Sequence, residues 1–383
     1  MKKNNDLSQK NRKAPIISII KRNNLSTKSK ASMYLCGILI AFVISAIFIA
    51  SMKVNPFVYF GKVIAGCFKN TINLRGLIRI VSPLIITSLG VAVAFKMKFW
   101  NIGAEGQFIM GAICASLVGL SCAKLPQFLA LLLMFISAIV GGGMYALITA
   151  FFKVKFGTNE TLLTLMFNYL ALYFLSFLKF NVPYFQDPSA GRPTFIKLPQ
   201  SAWLYEIKFS PKFGFDIAII IALLLTAFIF IYFKYTKHGY EISIIGDSLN
   251  TARYAGMKVN KVILRTIFLS GAIIGFAGML QVSGEASSHV LSDNITGGVG
   301  WTAIIVAWLS KLNPLGIVLT SVLLGILQKG SSVAASSFGI SSSIADIIQG
   351  IILFIVLSCD FFIRYKVVIN KNQQKSKVKE ETV

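Results

Sequence analysis

The stretch MYLCGILIAFVISAIFIAS, at residues 33–51, decides the fold class because it is an apolar run without a charged residue. A helix needs about 20 such residues to cross a bilayer. Similar runs recur, whereas a transmembrane barrel would show short alternating segments. We therefore predict an all-α polytopic membrane protein with about ten transmembrane helices, some of them short or broken. The candidate spans are 33–51, 78–95, 104–122, 126–150, 161–180, 216–234, 261–283, 300–311, 314–329 and 344–363.

The composition of the whole chain agrees with this fold class. Of the 383 residues, 55% are hydrophobic and only 14% are charged, and the mean hydropathy is +0.71. A soluble domain has roughly 25% charged residues, and it cannot hide so much apolar surface in one core. Lipid is therefore the solvent in which this chain is expected to fold.

The distribution of positive charge predicts the orientation of the chain. The net charge is +24, and the basic residues are concentrated at both ends and between the apolar runs. Such segments stay in the cytoplasm. We predict a basic cytoplasmic leader (1–32), a transmembrane domain (33–363) and a basic cytoplasmic tail (364–383) in the plasma membrane, with the loop 181–215 outside. The basic tails lack the interleaved aromatic residues of nucleic-acid binding segments, so we expect no nucleic-acid partner.

Motifs for catalysis and nucleotide binding are missing from the sequence. It has no GxxxxGK[ST] run to cradle the phosphates of ATP, and no GxSxG or HExxH motif. Its five cysteines and two histidines lack metal-binding spacing. We expect neither enzymatic activity nor a resident cofactor or metal in this chain.

Small residues predict where helices approach one another closely. Gly271 and Gly275 are four positions apart in one candidate span, and Ala138 and Gly142 are four apart in another. Small residues at this spacing let helix backbones come together in a membrane.

The run Asn101–Gln107 (NIGAEGQ) places polar residues between two candidate spans. A carboxylate at membrane depth costs roughly 2.5–3.5 kcal/mol on insertion scales, so it needs a partner or a water-filled path. The glycines would allow a helix to break and present its backbone to a solute. The alternatives are a polar turn at the cytoplasmic surface and buried groups satisfied by neighbouring helices. The predicted solute path consists of Asn101, Gly103, Glu105, Gly106, Gln107, Glu160, Asn168 and Glu285.

The same run and several later segments resemble one family in their order and spacing. The later segments are Gly157–Thr161, Thr164–Tyr169, Asp187–Gly191 and Pro314–Gly316. Over most of residues 80–360 the chain is similar to the nucleoside and simple-sugar branch of bacterial ABC-importer permeases, relatives of the ribose and branched-chain amino-acid permeases. The resemblance implies that residues 33–363 form a permease domain. It implies nucleosides as the solute, with simple sugars as the second candidate.

The segment between Gly239 and Lys261 is the second informative one. Ser248 is placed to cap a short helix through Tyr254, and Gly256 to end it in the left-handed conformation. Asp247 adds negative charge at the helix start, which the dipole favours. In the resembled family this segment is the coupling helix that seats in a groove of the ATPase; the alternative is an ordinary loop. The predicted coupling residues are Gly246, Asp247, Ser248, Tyr254, Ala255, Gly256 and Met257.

The resemblance also implies a set of partners. They are an ABC ATPase subunit that uses the ATP, a second and usually different permease subunit, a substrate-binding lipoprotein, a small-molecule solute and membrane lipid. The alternative function is an ion-coupled secondary transporter of a small polar solute. That protein would use Glu105, Glu160 or Glu285 as a proton or sodium site and would need no ATPase.

Overall fold

The computed structural model describes residues 17–22, 26–210, 213–284, 288–341 and 343–369. Helices dominate this part of the chain. In chain order the elements are β1 (Ile17–Lys21), α1 (Thr27–Ser51), α2 (Pro56–Lys69), α3 (Thr71–Lys96), α4 (Ala104–Ser121), α5 (Gln127–Phe156), α6 (Glu160–Asn181), β2 (Glu206–Ser210), β3 (Phe213–Asp216), α7 (Ala218–Tyr235), α8 (Lys237–Asp247), α9 (Leu249–Tyr254), α10 (Val259–Ser283), α11 (Val299–Leu309), α12 (Pro314–Phe338), α13 (Ser343–Arg364) and β4 (Tyr365–Ile369).

The chain forms two compact units. The smaller unit consists of the described residues within Met1–Phe57 and Asp346–Val383, and the larger one of those within Val58–Ala345. In the smaller unit, strands β1 and β4 pair antiparallel, with Ile17 opposite Ile369. Helix α1 of this unit contains the stretch 33–51 and begins six residues earlier, at Thr27. The larger unit contains the helix bundle described below.

The all-α polytopic architecture is confirmed. Among the described residues, seven helices are long and apolar enough to cross a membrane, and the count reaches eight if α1 and α2 form one broken span. The seven helices are α3, α4, α5, α6, α7, α10 and α12. Three of the ten predicted spans are not among the seven: 33–51 counts only together with α2, 344–363 corresponds to α13, and at 300–311 helix α11 has only 11 residues. At 1.5 Å per residue it is about 16 Å long, which is too short to cross a bilayer.

The predicted short span 314–329 is also different in the structure. Helix α12 begins at Pro314 and continues for 25 residues to Phe338, so it is a full-length span. Its polar residues beyond position 329, including Ser331 and Ser332, concealed this length in the sequence. A hydropathy pattern ends where polar residues begin, but a helix continues for as long as its backbone keeps the helical conformation.

Glycines allow the central helices of the larger unit to touch through their backbones. A Cβ at Gly275 of α10 would lie 2.4 Å from the carbonyl oxygen of Ala138 in α5, and one at Gly271 would lie 2.5 Å from that of Gly142. A Cβ at Gly111 of α4 would lie 2.3 Å from the Cα of Gly275. The predicted close approach is therefore confirmed, with α4 as a third participant.

The larger unit has two ends that differ in structure. We call one end the short-helix face, because it carries α8 and α9. There, a Cβ at Gly246 would lie 2.2 Å from the carbonyl oxygen of Lys96, at the end of α3. We call the other end the hairpin face, because it carries β2 and β3. There, the backbone N–H of Leu204 donates to the carbonyl oxygen of Ser283, at the end of α10 (2.9 Å).

We predict that Gly275→Ala destabilises the bundle, because the new methyl group has no room between α10 and α5. Overpacking of this kind costs about 1–3 kcal/mol, and more where backbone must move. Thermal unfolding of the detergent-solubilised protein measures the effect. The control is Gly61→Ala in α2, where a Cβ would have nothing within 4 Å. Equal melting temperatures for the two variants would contradict the packing analysis.

Candidate functional site

The turn between α3 and α4 is held by a buried pair of amides. Asn101 and Gln107 exchange two hydrogen bonds: Asn101 Nδ2 donates to Gln107 Oε1 (3.1 Å), and Gln107 Nε2 donates to Asn101 Oδ1 (2.9 Å). Asn101 Nδ2 also donates to Ser270 Oγ on α10 (3.2 Å), and Ser270 Oγ donates to the carbonyl oxygen of Gly90 on α3 (2.7 Å). The amides therefore join three helices and satisfy each other, as buried polar groups must.

Helix α6 brackets the same turn through Asn168. Asn168 Oδ1 accepts from the backbone N–H of Gly106 (2.8 Å), and its Nδ2 donates to the carbonyl oxygen of Ile102 (2.9 Å). Thr164 accepts from the backbone N–H of Ile102 (3.2 Å). The irregular backbone of the turn is thereby satisfied by protein, which is the condition for non-helical backbone at membrane depth.

The two glycines of the turn serve close approach between helices. A Cβ at Gly106 would lie 3.0 Å from the carbonyl oxygen of Phe167, and one at Gly103 would lie 3.2 Å from the Cβ of Thr164, both on α6. Gly103 has φ −80°, which any residue adopts. The expectation that glycine breaks the helix by its conformational freedom is therefore replaced by a steric reason.

Glu105 binds the beginning of the short helix α11. Its Oε2 accepts from the backbone N–H of Gly300 (2.8 Å), and its Oε1 accepts from the hydroxyl of Thr296. Glu105 is only 5% exposed, and a Cβ at Gly300 would lie 2.5 Å from its backbone nitrogen. A helix N-terminus carries unpaired N–H groups and partial positive charge. The buried carboxylate of Glu105 is thus stabilised by a specific partner, the N-terminus of α11.

The remaining predicted path residues lie elsewhere. Glu160 forms an ion pair with Lys153 at the junction of α5 and α6 (2.6 Å). Glu285 lies outside the described residues. The structure therefore brings together Asn101, Gly103, Gly106, Gln107 and Asn168, and it connects Glu105 to α11. Contact of any of these residues with a solute stays a prediction.

A polar cavity lies between α3, α10, α12 and the segment before α11. Its volume is about 290 Å³. Arg79, Gln281, Thr296 and Gln328 contribute its polar lining, together with Gly76, Ile80, Pro83, Gly297 and Val299. Because Thr296 also donates to Glu105, that carboxylate lies directly behind the cavity wall.

Sequence reasoning did not single out the cavity residues, although a signal was present. Arg79, Gln281 and Gln328 are polar residues inside the candidate spans 78–95, 261–283 and 314–329. They come from three separate spans, and nothing in the sequence indicates that the three meet. Only the packing of the helices brings them together.

One charged group outside the membrane spans lies near Arg79. Asp216 ends strand β3 and is 7% exposed. Burial raises the pKa of Asp216, and the positive charge of Arg79 counteracts this effect. The hairpin face therefore places a carboxylate within electrostatic reach of the guanidinium that lines the cavity.

The predicted short helix and its caps are confirmed on the short-helix face. Ser248 Oγ accepts from the backbone N–H of Thr251 (3.2 Å), helix α9 ends at Tyr254, and Gly256 has φ +73°. Tyr254 is 93% exposed. The geometry of this segment is that of a projecting, capped helix, whose role in coupling stays a prediction.

A second helix, α8, precedes α9 and was not predicted. Asp247 is its last residue, so the negative charge expected at the start of α9 also stands at the negative end of α8. Arg265 of α10 anchors α8 by donating to Glu241 (2.9 Å). Burial raises the pKa of Glu241, but the hydrogen bonds and charges of Arg265 and His238 together outweigh burial and hold this pKa below its ordinary value.

We predict that Glu105→Ala lowers the stability of the protein more than Glu160→Ala does. The first change leaves the buried N–H of Gly300 without its acceptor, which costs about 1–3 kcal/mol. The second change removes a partly exposed ion pair, whose typical contribution is about 0–1 kcal/mol. Thermal unfolding in detergent compares the two variants. A larger loss for Glu160→Ala would contradict the assigned role of Glu105.

Known proteins provide an independent comparison. Residues 73–357 match the family described as "Branched-chain amino acid transport system / permease component". The chain is 31% identical over 281 residues to the guanosine ABC transporter permease protein NupP of Bacillus subtilis (strain 168), which covers 73% of this chain and 80% of the relative.

Two further relatives match over more of the chain. It is 26% identical over 333 residues to the nucleoside ABC transporter permease protein NupB of Lactococcus lactis subsp. cremoris (strain MG1363), covering 85% of this chain and 90% of the relative. It is also 26% identical over 344 residues to the glucose ABC transporter permease protein TsgB13 of Haloferax volcanii, covering 86% of this chain and 88% of the relative.

The family match extends over most of the chain and includes the amide-bracketed turn, the contact of Glu105 with α11, the polar cavity and the short helix α9. These features and the seven apolar helices belong to a transport subunit rather than to an enzyme. The chain belongs to the branched-chain amino acid transport system / permease component family.

Proposed function

We propose that this permease subunit takes up nucleosides for an ATP-driven importer and that the polar cavity holds the solute. The cavity is the observation that carries the proposal. Its volume of about 290 Å³ is near the lower end of the roughly 300–1,000 Å³ typical of small-molecule sites. The amide of Gln328, which lines the cavity, can both donate and accept hydrogen bonds, and the edge of a nucleobase and the hydroxyls of a ribose offer the matching groups.

The reported relatives support this class of solute. Two of them are named for guanosine or nucleosides, and the third is named for glucose. The glucose permease makes a simple sugar the second candidate. A nucleoside contains both a sugar and a base, so the two candidates share the hydroxyl-binding part of the site.

The predicted path residues contribute to this site by positioning its wall. Glu105 fixes Thr296, which lines the cavity, and it also fixes the start of α11. The amide pair of Asn101 and Gln107 holds the beginning of α4, where Glu105 is located. Catalytic or ion-binding chemistry at Glu105 is not required by this arrangement.

The ion-coupled alternative has less support from the described acids. Glu105 is occupied by the N-terminus of α11, and Glu160 is occupied by Lys153. A coupling ion would have to displace one of these partners in every cycle. An ATP-driven mechanism leaves both contacts intact.

We propose that the short-helix face is cytoplasmic and that the ATPase binds there on α9. The positive-inside rule supports this orientation, because the face carries Lys96, Lys234 and Lys311. The exposed Tyr254 is available to a partner. The hairpin face would then be external and would receive solute from a substrate-binding lipoprotein. A second, different permease subunit would complete the pathway.

We predict that Gln328→Leu reduces nucleoside uptake at least about tenfold, because one unpaired polar group at the site costs about 1–3 kcal/mol. Uptake of radiolabelled guanosine is measured in proteoliposomes that contain the assembled importer. ATP is supplied on the side of the membrane that the ATPase subunits face. The control is Thr320→Val in the same helix, because the hydroxyl of Thr320 bonds to the helix's own Gly316 carbonyl (2.9 Å). Normal uptake by Gln328→Leu would remove the cavity from the path.

We predict that Gly256→Val leaves the protein inserted but uncouples transport. Gly256 has φ +73°, and a Cβ there would meet nothing within 4 Å, so any effect comes from the strained backbone at the end of α9. Guanosine uptake and solute-stimulated ATP hydrolysis provide the measurement. Gly339→Val is the matched control, since Gly339 has φ +66° and equally open surroundings at the far end of α12. Equal uptake by both variants would contradict a coupling role for α9.

A further inference from the structure

We propose that the short-helix face contains a binding site for one anionic phospholipid. The site is a cavity of about 410 Å³ where α3 and α7 end and α12 begins. The residues that line it include Lys96, Lys234 and Lys311 and the aromatic residues Phe230 and Phe233. We call this cavity the lysine pocket. It is separate from the polar cavity that is proposed to hold the solute.

The charge of the lysine pocket favours an anion. Among the described residues that line it, none is acidic. Aromatic rings hold two of the cations: Lys96 Nζ is 4.0 Å from the centroid of the Phe233 ring, and Lys234 Nζ is 5.6 Å from that of Phe230. A ring attracts an ammonium group but leaves its charge in place. An anionic phosphate at this cavity would therefore be attracted by the lysines that line it.

The local backbone adds to this positive field. Lys311 and Leu312 have φ values of 53° and 59°, a left-handed pair that non-glycine residues rarely adopt. This turn places Lys311 at the pocket and leads directly into α12, whose N-terminus is capped by Asn313. A helix N-terminus has partial positive charge. Here it supplements the lysine side chains on the same wall of the pocket.

The surroundings of the lysine pocket favour a lipid over a soluble anion. The pocket lies where spans end, which is the level of lipid headgroups. Helix α7, which contributes Phe230, Phe233 and Lys234 to the pocket, also exposes apolar side chains: Leu224 is 66% exposed, Phe228 is 56% exposed and Ile231 is 52% exposed. We call these three residues the apolar strip of α7. An acyl chain attached to a phosphate in the pocket could contact these residues on the same helix. A soluble phosphate would make no use of that strip.

The position of the lysine pocket connects a bound lipid with the short helices. Lys96 lines the pocket through its side chain, and its carbonyl oxygen is the atom against which Gly246 of α8 packs. A lipid that orders the end of α3 would therefore also stabilise the seat of α8. The proposed solute specificity does not enter this inference, which depends only on the membrane location of the spans.

Native mass spectrometry of the full-length importer complex tests the site. The complex is equilibrated in detergent with equal amounts of phosphatidylglycerol and phosphatidylcholine. We expect one phosphatidylglycerol molecule to be retained in preference to phosphatidylcholine. The triple variant Lys96→Gln, Lys234→Gln, Lys311→Gln should reduce this preference at least about tenfold. The single variant Lys234→Gln, at an exposed position, should reduce the preference for phosphatidylglycerol by a smaller factor. It keeps the test informative if the triple variant misfolds.

A second set of lysines provides the control. Lys155, Lys258 and Lys261 are exposed and lie outside the lysine pocket. Replacing all three by glutamine should leave the retained phosphatidylglycerol unchanged. An equal loss of phosphatidylglycerol from both triple variants would mean that general surface charge holds the lipid, which would overturn the proposal. Unchanged phosphatidylglycerol retention in the pocket variants would overturn it as well.

Crosslinking and competition distinguish the lipid from other anionic occupants. A photoreactive amino acid at Ile231 should crosslink to the acyl chain of phosphatidylglycerol. Excess inorganic phosphate should not displace the lipid, because phosphate lacks the contact with α7. Displacement by phosphate would make the pocket a site for soluble anions. Crosslinking of the same position to the ATPase subunit in place of lipid would make it a protein docking site.

Discussion

The contact between Glu105 and the N-terminus of α11 satisfies two groups that could not be buried separately. Helix α11 is too short to cross a bilayer, so its first N–H groups need an acceptor from within the protein. Glu105 is a carboxylate at 5% exposure, and it needs donors. Their hydrogen bond at 2.8 Å to Gly300 meets both requirements. It also joins the beginning of α4 to the wall of the polar cavity through Thr296.

The other end of α11 is fixed by aromatic rings. Trp308 stacks on Trp100 with centroids 5.3 Å apart, and Phe95 of α3 packs against both rings at 5.4 and 6.0 Å. The turn that carries Trp100 is the same one that Asn168 brackets through Ile102. The short helix is thus held at both ends by the connection between α3 and α4. The polar run Asn101–Gln107, which interrupts the apolar pattern of the sequence, therefore lies where the short helix α11 is held in the bundle.

The sequence predicted features that depend on neighbours along the chain. Apolar runs located the long helices, and the cap at Ser248 with the left-handed Gly256 was predicted because a cap and its helix are a few residues apart. Small residues also predicted the close approach of α5 and α10, but the specific polar contacts between distant segments were not predicted. Glu105 and Gly300 are 195 residues apart, and no local pattern pairs a carboxylate with one helix start among many. The polar cavity was missed for the same reason, since Arg79 and Gln328 come from separate spans.

Helix α3 provides a physical connection between the two functional ends proposed for this subunit. At the short-helix face its last carbonyl, on Lys96, contacts Gly246 of α8, and near its other end Arg79 lines the polar cavity. Pro83 lies between them and also lines that cavity. A proline inside a helix removes one backbone hydrogen bond and allows a bend. Under the proposed function, force applied by an ATPase at α9 would pass through α8 to α3, a continuous helix that contains Pro83 beside the proposed solute cavity. A bend at Pro83 would change the cavity, and the two access states would thereby differ in their affinity for the solute.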